Sequence, residues 1–201
     1  MNMKRTKKNA GFTLVELIVV IVILAILAAI LVPQLLGYID RAKQQQYILD
    51  AKNCMNAMQT KLVEMYAQDS TVGGNNNYVG NNPYGDVSWI GTPEAEDVLA
   101  TADSKPYMLI MGLGKYGKYE QTDRHKAYTV YFVAYWPAKD KDPIFFNGSE
   151  WTSEYPWEKN GGNTFIVNGE SIELQFYFIE APSKNMSNNW NELKRYLKVN
   201  F

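Results

Sequence analysis

Residues 17–32 read LIVVIVILAILAAILV, sixteen apolar side chains without a break. No amphipathic helix or half-buried strand can use such a run, because neither has sixteen consecutive positions facing one apolar surface. From Phe12 to Leu36 only Thr13, Glu16, Pro33 and Gln34 interrupt it. As a helix this stretch measures ~37 Å, enough to cross a bilayer core of ~30 Å. Lys4, Arg5, Lys7 and Lys8 precede it with no acid among them. The positive-inside rule then predicts a cytoplasmic N-terminus, with everything after Pro33 outside. One residue resists a purely greasy reading. Glu16 stands at the mouth of the run, where an ionised carboxylate in lipid costs roughly 2.5–3.5 kcal/mol.

The helical pattern continues beyond the apolar run. Ile48, Ala51, Met55, Met58, Leu62 and Met65 recur at alternating spacings of three and four, with polar residues such as Asp50, Asn56 and Gln59 between them. This predicts one helix from about Thr13 to Ala67, apolar all round in its first half and striped in its second. Pro33 lies inside it and removes a helical hydrogen bond. DSTVGGNNNYVGNNPYGD ends it as a loop, and TPEAEDVLATAD predicts a short helix with Thr92 as N-cap and Pro93 in its first turn. PYMLIMGL and AYTVYFVAYW read as strands, and Asn168-Gly169 as the type I′ turn of a hairpin. In the hairpin's second arm Ile172, Leu174, Phe176 and Phe178 face one way, and Glu173, Gln175 and Tyr177 the other. The expectation is one buried face laid on the striped helix, and one wet face. NNWNELKRYLKV predicts a closing helix capped by Asn189, with Glu192 three residues on.

Together KKNAGFTLVELIVVIVILAILAAILVPQLLGYIDRAK strongly resembles the N-terminus of type IV pilins and their relatives, the pseudopilins. The resemblance implies an α+β fold, a long N-terminal helix packed on an antiparallel β-sheet head. It also implies a leader over 1–11, a helix over 12–67 with 12–36 as transmembrane and filament core, and a head over 68–201. A prepilin peptidase would cut between Gly11 and Phe12 and methylate the new Phe12 amine. That amine of one subunit would then meet Glu16 of its neighbour, while Pro33 would permit local bending during assembly. An amine at ~4 Å and an effective dielectric of ~20 supplies about 4 kcal/mol, enough to offset the carboxylate's cost in lipid. The implied function is a structural subunit of a type IV pilus serving adhesion or motility, held in the membrane and then extruded into an extracellular fibre. The implied alternative is a pseudopilin of a type II secretion or competence system. Expected partners are other copies of the chain, the peptidase, an assembly platform and its ATPase, and the membrane; nucleic acid, cofactors and metals are not expected.

Other signals are weaker. A secretory signal peptide has a shorter apolar core, and this run lacks an Ala-x-Ala end. GLGKYG matches the dinucleotide fingerprint, but the residues after it lead into another strand rather than the helix a pyrophosphate needs. His125 and Cys54 are the only residues of their kinds, so neither a zinc site nor a disulfide can form within the chain. Cys54 flanks the apolar stripe and is expected to be buried. Asp140 and Asp142 alone fall short of a calcium loop. The basic, tyrosine-bearing KYGKYEQTDRHKAY reads as a solvated loop. Asn147-Gly148-Ser149 and Asn185-Met186-Ser187 fit a glycosylation sequon but carry little weight. No G-x-x-x-x-G-K-[ST] occurs, so the chain encodes no phosphate-binding motor of its own.

Overall fold

The computed structural model describes residues 11–72, 87–118, 120–156, 164–185 and 188–192. It falls into two compact units, Met1–Gln45 and Gln46–Phe201, and helix α1 (Leu14–Ala67) contributes to both. In the first unit every residue from 11 to 45 is exposed, the apolar run included. Water is a poor medium for it: each Leu, Ile or Val left unburied forgoes about 1.5–3 kcal/mol. The helix is unbroken through Pro33, whose missing N–H leaves the Ala29 carbonyl without a helical donor.

The second unit begins with the striped half of α1. This helix ends at Asp69, which sits in the left-handed region at φ 56°. Ser70 N donates to Met65 O at 2.9 Å and Asp69 N to Tyr66 O at 3.2 Å, the paired bonds of a Schellman stop. Helix α2 (Pro93–Ala102) starts as expected, with Thr92 Oγ1 accepting from Ala95 N at 3.3 Å. It ends on a second left-handed aspartate, Asp103. The predicted loop after α1 lies largely outside the described residues.

Seven strands occur among the described residues: β1 (Val87–Ser88), β2 (Met108–Gly114), β3 (Val130–Trp136), β4 (Ile144–Phe146), β5 (Trp151–Thr152), β6 (Thr164–Val167) and β7 (Glu170–Glu180). The sheet runs β1-β7-β2-β3-β4-β5, with β6 pairing β7 separately. All pairings are antiparallel except that of β1, which lies parallel to β7. Asn168 (φ 52°) and Gly169 (φ 82°) both adopt positive φ, as a type I′ turn requires.

The expected assignment of β7's two faces is corrected. Tyr177 and Ile179, not the phenylalanines, join the core that holds Ala51, Cys54, Met58 and Leu62 of α1. Ile172, Leu174, Phe176 and Phe178 belong to a second core on the opposite face. The expected wet face does not exist along β7's second half, where Gln175 is 2% exposed and Tyr177 fully buried. The physical reason is that both faces are roofed: α1 and Trp89, whose ring lies 5.3 Å from that of Tyr177, cover the face expected to be wet, while β6 and Trp190 cover the other. Phe165 of β6 meets Phe132 at a ring distance of 5.6 Å, and Trp190 lies against Phe176 at 5.9 Å and Phe178 at 5.4 Å.

The closing helix is also corrected in detail. Residues 188–192 are helical, but Asn189 lies inside that turn rather than capping it. It is fully buried, and its Nδ2 donates to Ser183 O at 2.5 Å. Seating Trp190 against the second core draws the turn inward and takes Asn189 with it. Residues beyond 192 lie outside the described set.

Gln59 joins α1 to the start of β3. Its Nε2 donates to Tyr128 O at 2.8 Å, and its Oε1 accepts from Val130 N at 3.0 Å. One side chain thus supplies both partners that a neighbouring strand would have given. Arg124 reinforces the contact, with Asp69 at 2.5 Å and its guanidinium 5.4 and 5.5 Å from the rings of Tyr66 and Tyr128. Gln59→Leu keeps the volume but strands two backbone groups, so it should cost about 2–3 kcal/mol. Urea unfolding of the detergent-solubilised chain checks this; an unchanged midpoint would remove Gln59 from the account.

Cys54 is fully buried, as expected. Burial pushes its thiol up to about 11, and the nearby Tyr135 hydroxyl, likewise desolvated, to about 12. A maleimide or disulfide reagent at pH 8 should therefore modify Cys54 only as the head unfolds. Labelling at the rate of a small-molecule thiol in folded protein would contradict the packing.

The remaining motifs become structural. Gly112, first glycine of GLGKYG, occupies a point where a Cβ would sit 2.9 Å from Phe132 Cβ and 3.0 Å from a Leu174 methyl. The segment after it turns at Gly117 (φ 79°) and leads to a 3₁₀ helix, Gln121–Tyr128, which carries the exposed His125. In the basic stretch Lys115 and Lys118 reach Glu173 at 2.7 and 2.9 Å, and Lys126 pairs with Glu170 and Asp123. Each of these cations is matched to a carboxylate. Asp140 and Asp142 are exposed, and among the described residues no group of three or more His, Cys, Asp or Glu is placed to hold a metal ion.

Candidate functional site

The first turn of α1 carries the residues that the sequence singles out. Gly11 and Phe12 precede the helix, and Phe12 is 87% exposed. Thr13 takes the N-cap position, Leu14 is the first helical residue and Glu16 is the third. Thr13 N donates to Glu16 Oε2 at 2.8 Å, and Thr13 Oγ1 donates to the same oxygen at 2.7 Å. In return Thr13 Oγ1 lies 3.3 Å from Glu16 N. This is a capping box, in which an N-cap hydroxyl residue and a glutamate three positions on satisfy each other's backbone donors.

The structure therefore gives Glu16 an intrachain partner that the sequence reading did not assign. The signal was present, since T-x-x-E directly before an apolar run is the signature of such a cap. Pro33 is seventeen residues further along, ~26 Å by helical rise, and is not part of this cluster. Phe12 lies beside the cap in sequence, but no hydrogen bond joins its backbone to Glu16.

The same turn lies within a recognised motif. The family described as "Prokaryotic N-terminal methylation motif" matches residues 6–32, a span that includes Gly11, Phe12, Thr13 and Glu16 and stops just short of Pro33. Residues 6–32 thus carry the N-terminal methylation motif. Among the proteins similar to this chain, the "Type II secretion system core protein G" of Vibrio cholerae serotype O1 is 44% identical over 70 residues, 35% of this chain and 44% of the relative. Proteins of the same name from Escherichia coli K12 and Aeromonas hydrophila are 40% identical over 68 residues and 42% over 64. These cover 34% and 32% of this chain, and 43% and 41% of the relatives. The chain thus aligns with less than half the length of the curated relatives it matches. No solved structure matches it. The likeness favours the secretion alternative over the surface pilus that the N-terminus first implied.

Proposed function

We propose that this chain is a prepilin and the subunit of a secretion-type pseudopilus, a filament polymerised through residues 12–36. The observation that carries the reading is the match of residues 6–32 to the methylation motif, together with relatives named for a type II secretion system. In this reading the precursor is stored in the membrane through its apolar helix, which is long and apolar enough to cross one. A prepilin peptidase cuts between Gly11 and Phe12 and methylates Phe12. An assembly platform driven by a separate ATPase then withdraws the helix from lipid into a core of neighbouring copies. Glu16 of one subunit receives the Phe12 amine of the next and sets the register. Pro33 lowers the cost of bending or locally melting the helix, since its ring has already removed the bond to Ala29.

Mass spectrometry of N-termini, taken separately from sheared surface material and from membranes, tests this reading. Chains starting at N-methylated Phe12 and confined to the envelope support the pseudopilus. Abundant processed chains in sheared fibres return the surface pilus to first place. An intact Met1 start, or cleavage beyond Val32, overturns both.

A further inference from the structure

We propose that the cleft between the end of α1 and the start of the 3₁₀ helix Gln121–Tyr128 binds a short, uncharged saccharide. The cleft has a volume of 410 Å³, and its lining includes Asp69, Thr71, Tyr116, Glu120, Gln121 and Arg124. That size falls in the range of about 300–1,000 Å³ found for small-molecule sites. These residues all belong to the second compact unit, so the proposal stands apart from the assembly reading above.

The walls are held in place by the chain itself. Tyr128 is buried, and its hydroxyl donates to Ser70 O at 2.9 Å and accepts from Arg124 Nη2 at 3.2 Å. Tyr116 meets the Tyr128 ring edge-on at 6.3 Å, yet stays 37% exposed. Arg124 is pinned by Asp69 Oδ1 and by the rings of Tyr66 and Tyr128. The polar groups are left open. The Asp69 side chain is 81% exposed, and with Oδ1 on Arg124 its Oδ2 remains an acceptor. Glu120 precedes the 3₁₀ helix without capping it through its side chain. Gln121 is exposed and brings a donor and an acceptor together. Walls ordered beforehand reduce what binding must order.

Charge selects the ligand class. Asp69 and Glu120 outnumber Arg124, whose charge is already matched by Asp69, so a phosphate or carboxylate is repelled. Among the described residues no group of three or more His, Cys, Asp or Glu is placed to hold a metal ion. A pyranose meets what remains. Its hydroxyls donate to the carboxylates and both donate to and accept from the glutamine amide, while its C–H face lies on an aromatic ring.

The test is titration of the full chain, solubilised in a detergent without a sugar headgroup, with cellotetraose, maltotetraose and chitotetraose, read by saturation-transfer NMR. Tetragalacturonate and inorganic phosphate serve as charged probes. At least one neutral probe should bind with Kd of roughly 1 mM or below, and neither charged probe should compete. A preference for chitotetraose assigns the ligand to N-acetylated wall glycans, and a preference for either of the others to neutral exopolysaccharides. Tyr116→Ala should weaken binding about ten-fold and Tyr116→Phe less than about two-fold, because stacking needs the ring and not the hydroxyl. Gln121→Ala, at an exposed position that leaves folding intact, should also weaken it about ten-fold and decides the matter if Tyr116→Ala does not fold. Absence of binding by all three neutral probes, tighter binding of a charged one, or affinity unchanged in the folded variants overturns the proposal.

Discussion

Glu16→Ala is expected to leave the chain made, inserted and cut, yet nearly absent from filaments. The carboxylate costs roughly 2.5–3.5 kcal/mol in lipid, and a paired ammonium at ~4 Å and an effective dielectric of ~20 returns about 4 kcal/mol. Removing the acid spares the first amount but leaves the partner's ammonium buried without a counter-charge, which costs several kcal/mol. At 1.4 kcal/mol per factor of ten, a net loss of about 3 kcal/mol is on the order of a hundred-fold in docking. Alanine also removes the acceptor of the capping box, so Glu16→Gln is the better-matched control: it keeps an oxygen for Thr13 and removes only the charge. Sedimentation of assembled material against total processed chain decides the matter. Normal assembly by both variants would leave Glu16 as a helix cap and nothing more.

The second large effect lies in the head. Phe132 stands at the centre of the second core, with ring distances of 6.2 Å to Phe145, 5.6 Å to Phe165 and 5.8 Å to Phe176. Phe132→Ala should cost about 3–5 kcal/mol, since rings fixed on three other strands cannot collapse into the space it leaves. For a unit of this size that lowers Tm by roughly 6–20 °C. Phe132→Leu, which restores most of the volume, should cost well under half as much. Calorimetry of the solubilised chain is the measurement. A loss below about 1 kcal/mol for the alanine variant would show that β6 does not seal this face.

How much of this was legible in the sequence depends on the range of the forces involved. The ends of α1, the start of α2 and the Asn168-Gly169 turn are fixed by contacts a few residues apart, so their patterns predicted them. The strand cores of β2, β3 and β7 were legible for the same reason. Which face of β7 meets the helix was not. Period-two alternation separates Phe176 from Tyr177 but cannot say that both faces are roofed, because one roof is α1 and the other is built from β6 and Trp190. Asn189 was misplaced for a related reason: a cap is local, and burial of its neighbour Trp190 is not. Gln59 looked like one more polar residue on a wet face, although its partners lie at Tyr128 and Val130, far along the chain. At the site, Glu16 was singled out by its surroundings. Thr13 carries the local T-x-x-E signature of a cap, which the burial of the apolar run after it does not alter.

The strands at the two ends of the β1-to-β5 path are each only two residues long. In a filament, heads of identical sequence are held side by side at very high local concentration. That is the situation in which open strand edges join into continuous sheets. Edges this short offer almost no backbone template for such joining. In the proposed filament these two ends would give a neighbouring head little strand to extend, so contacts there would fall to surface side chains.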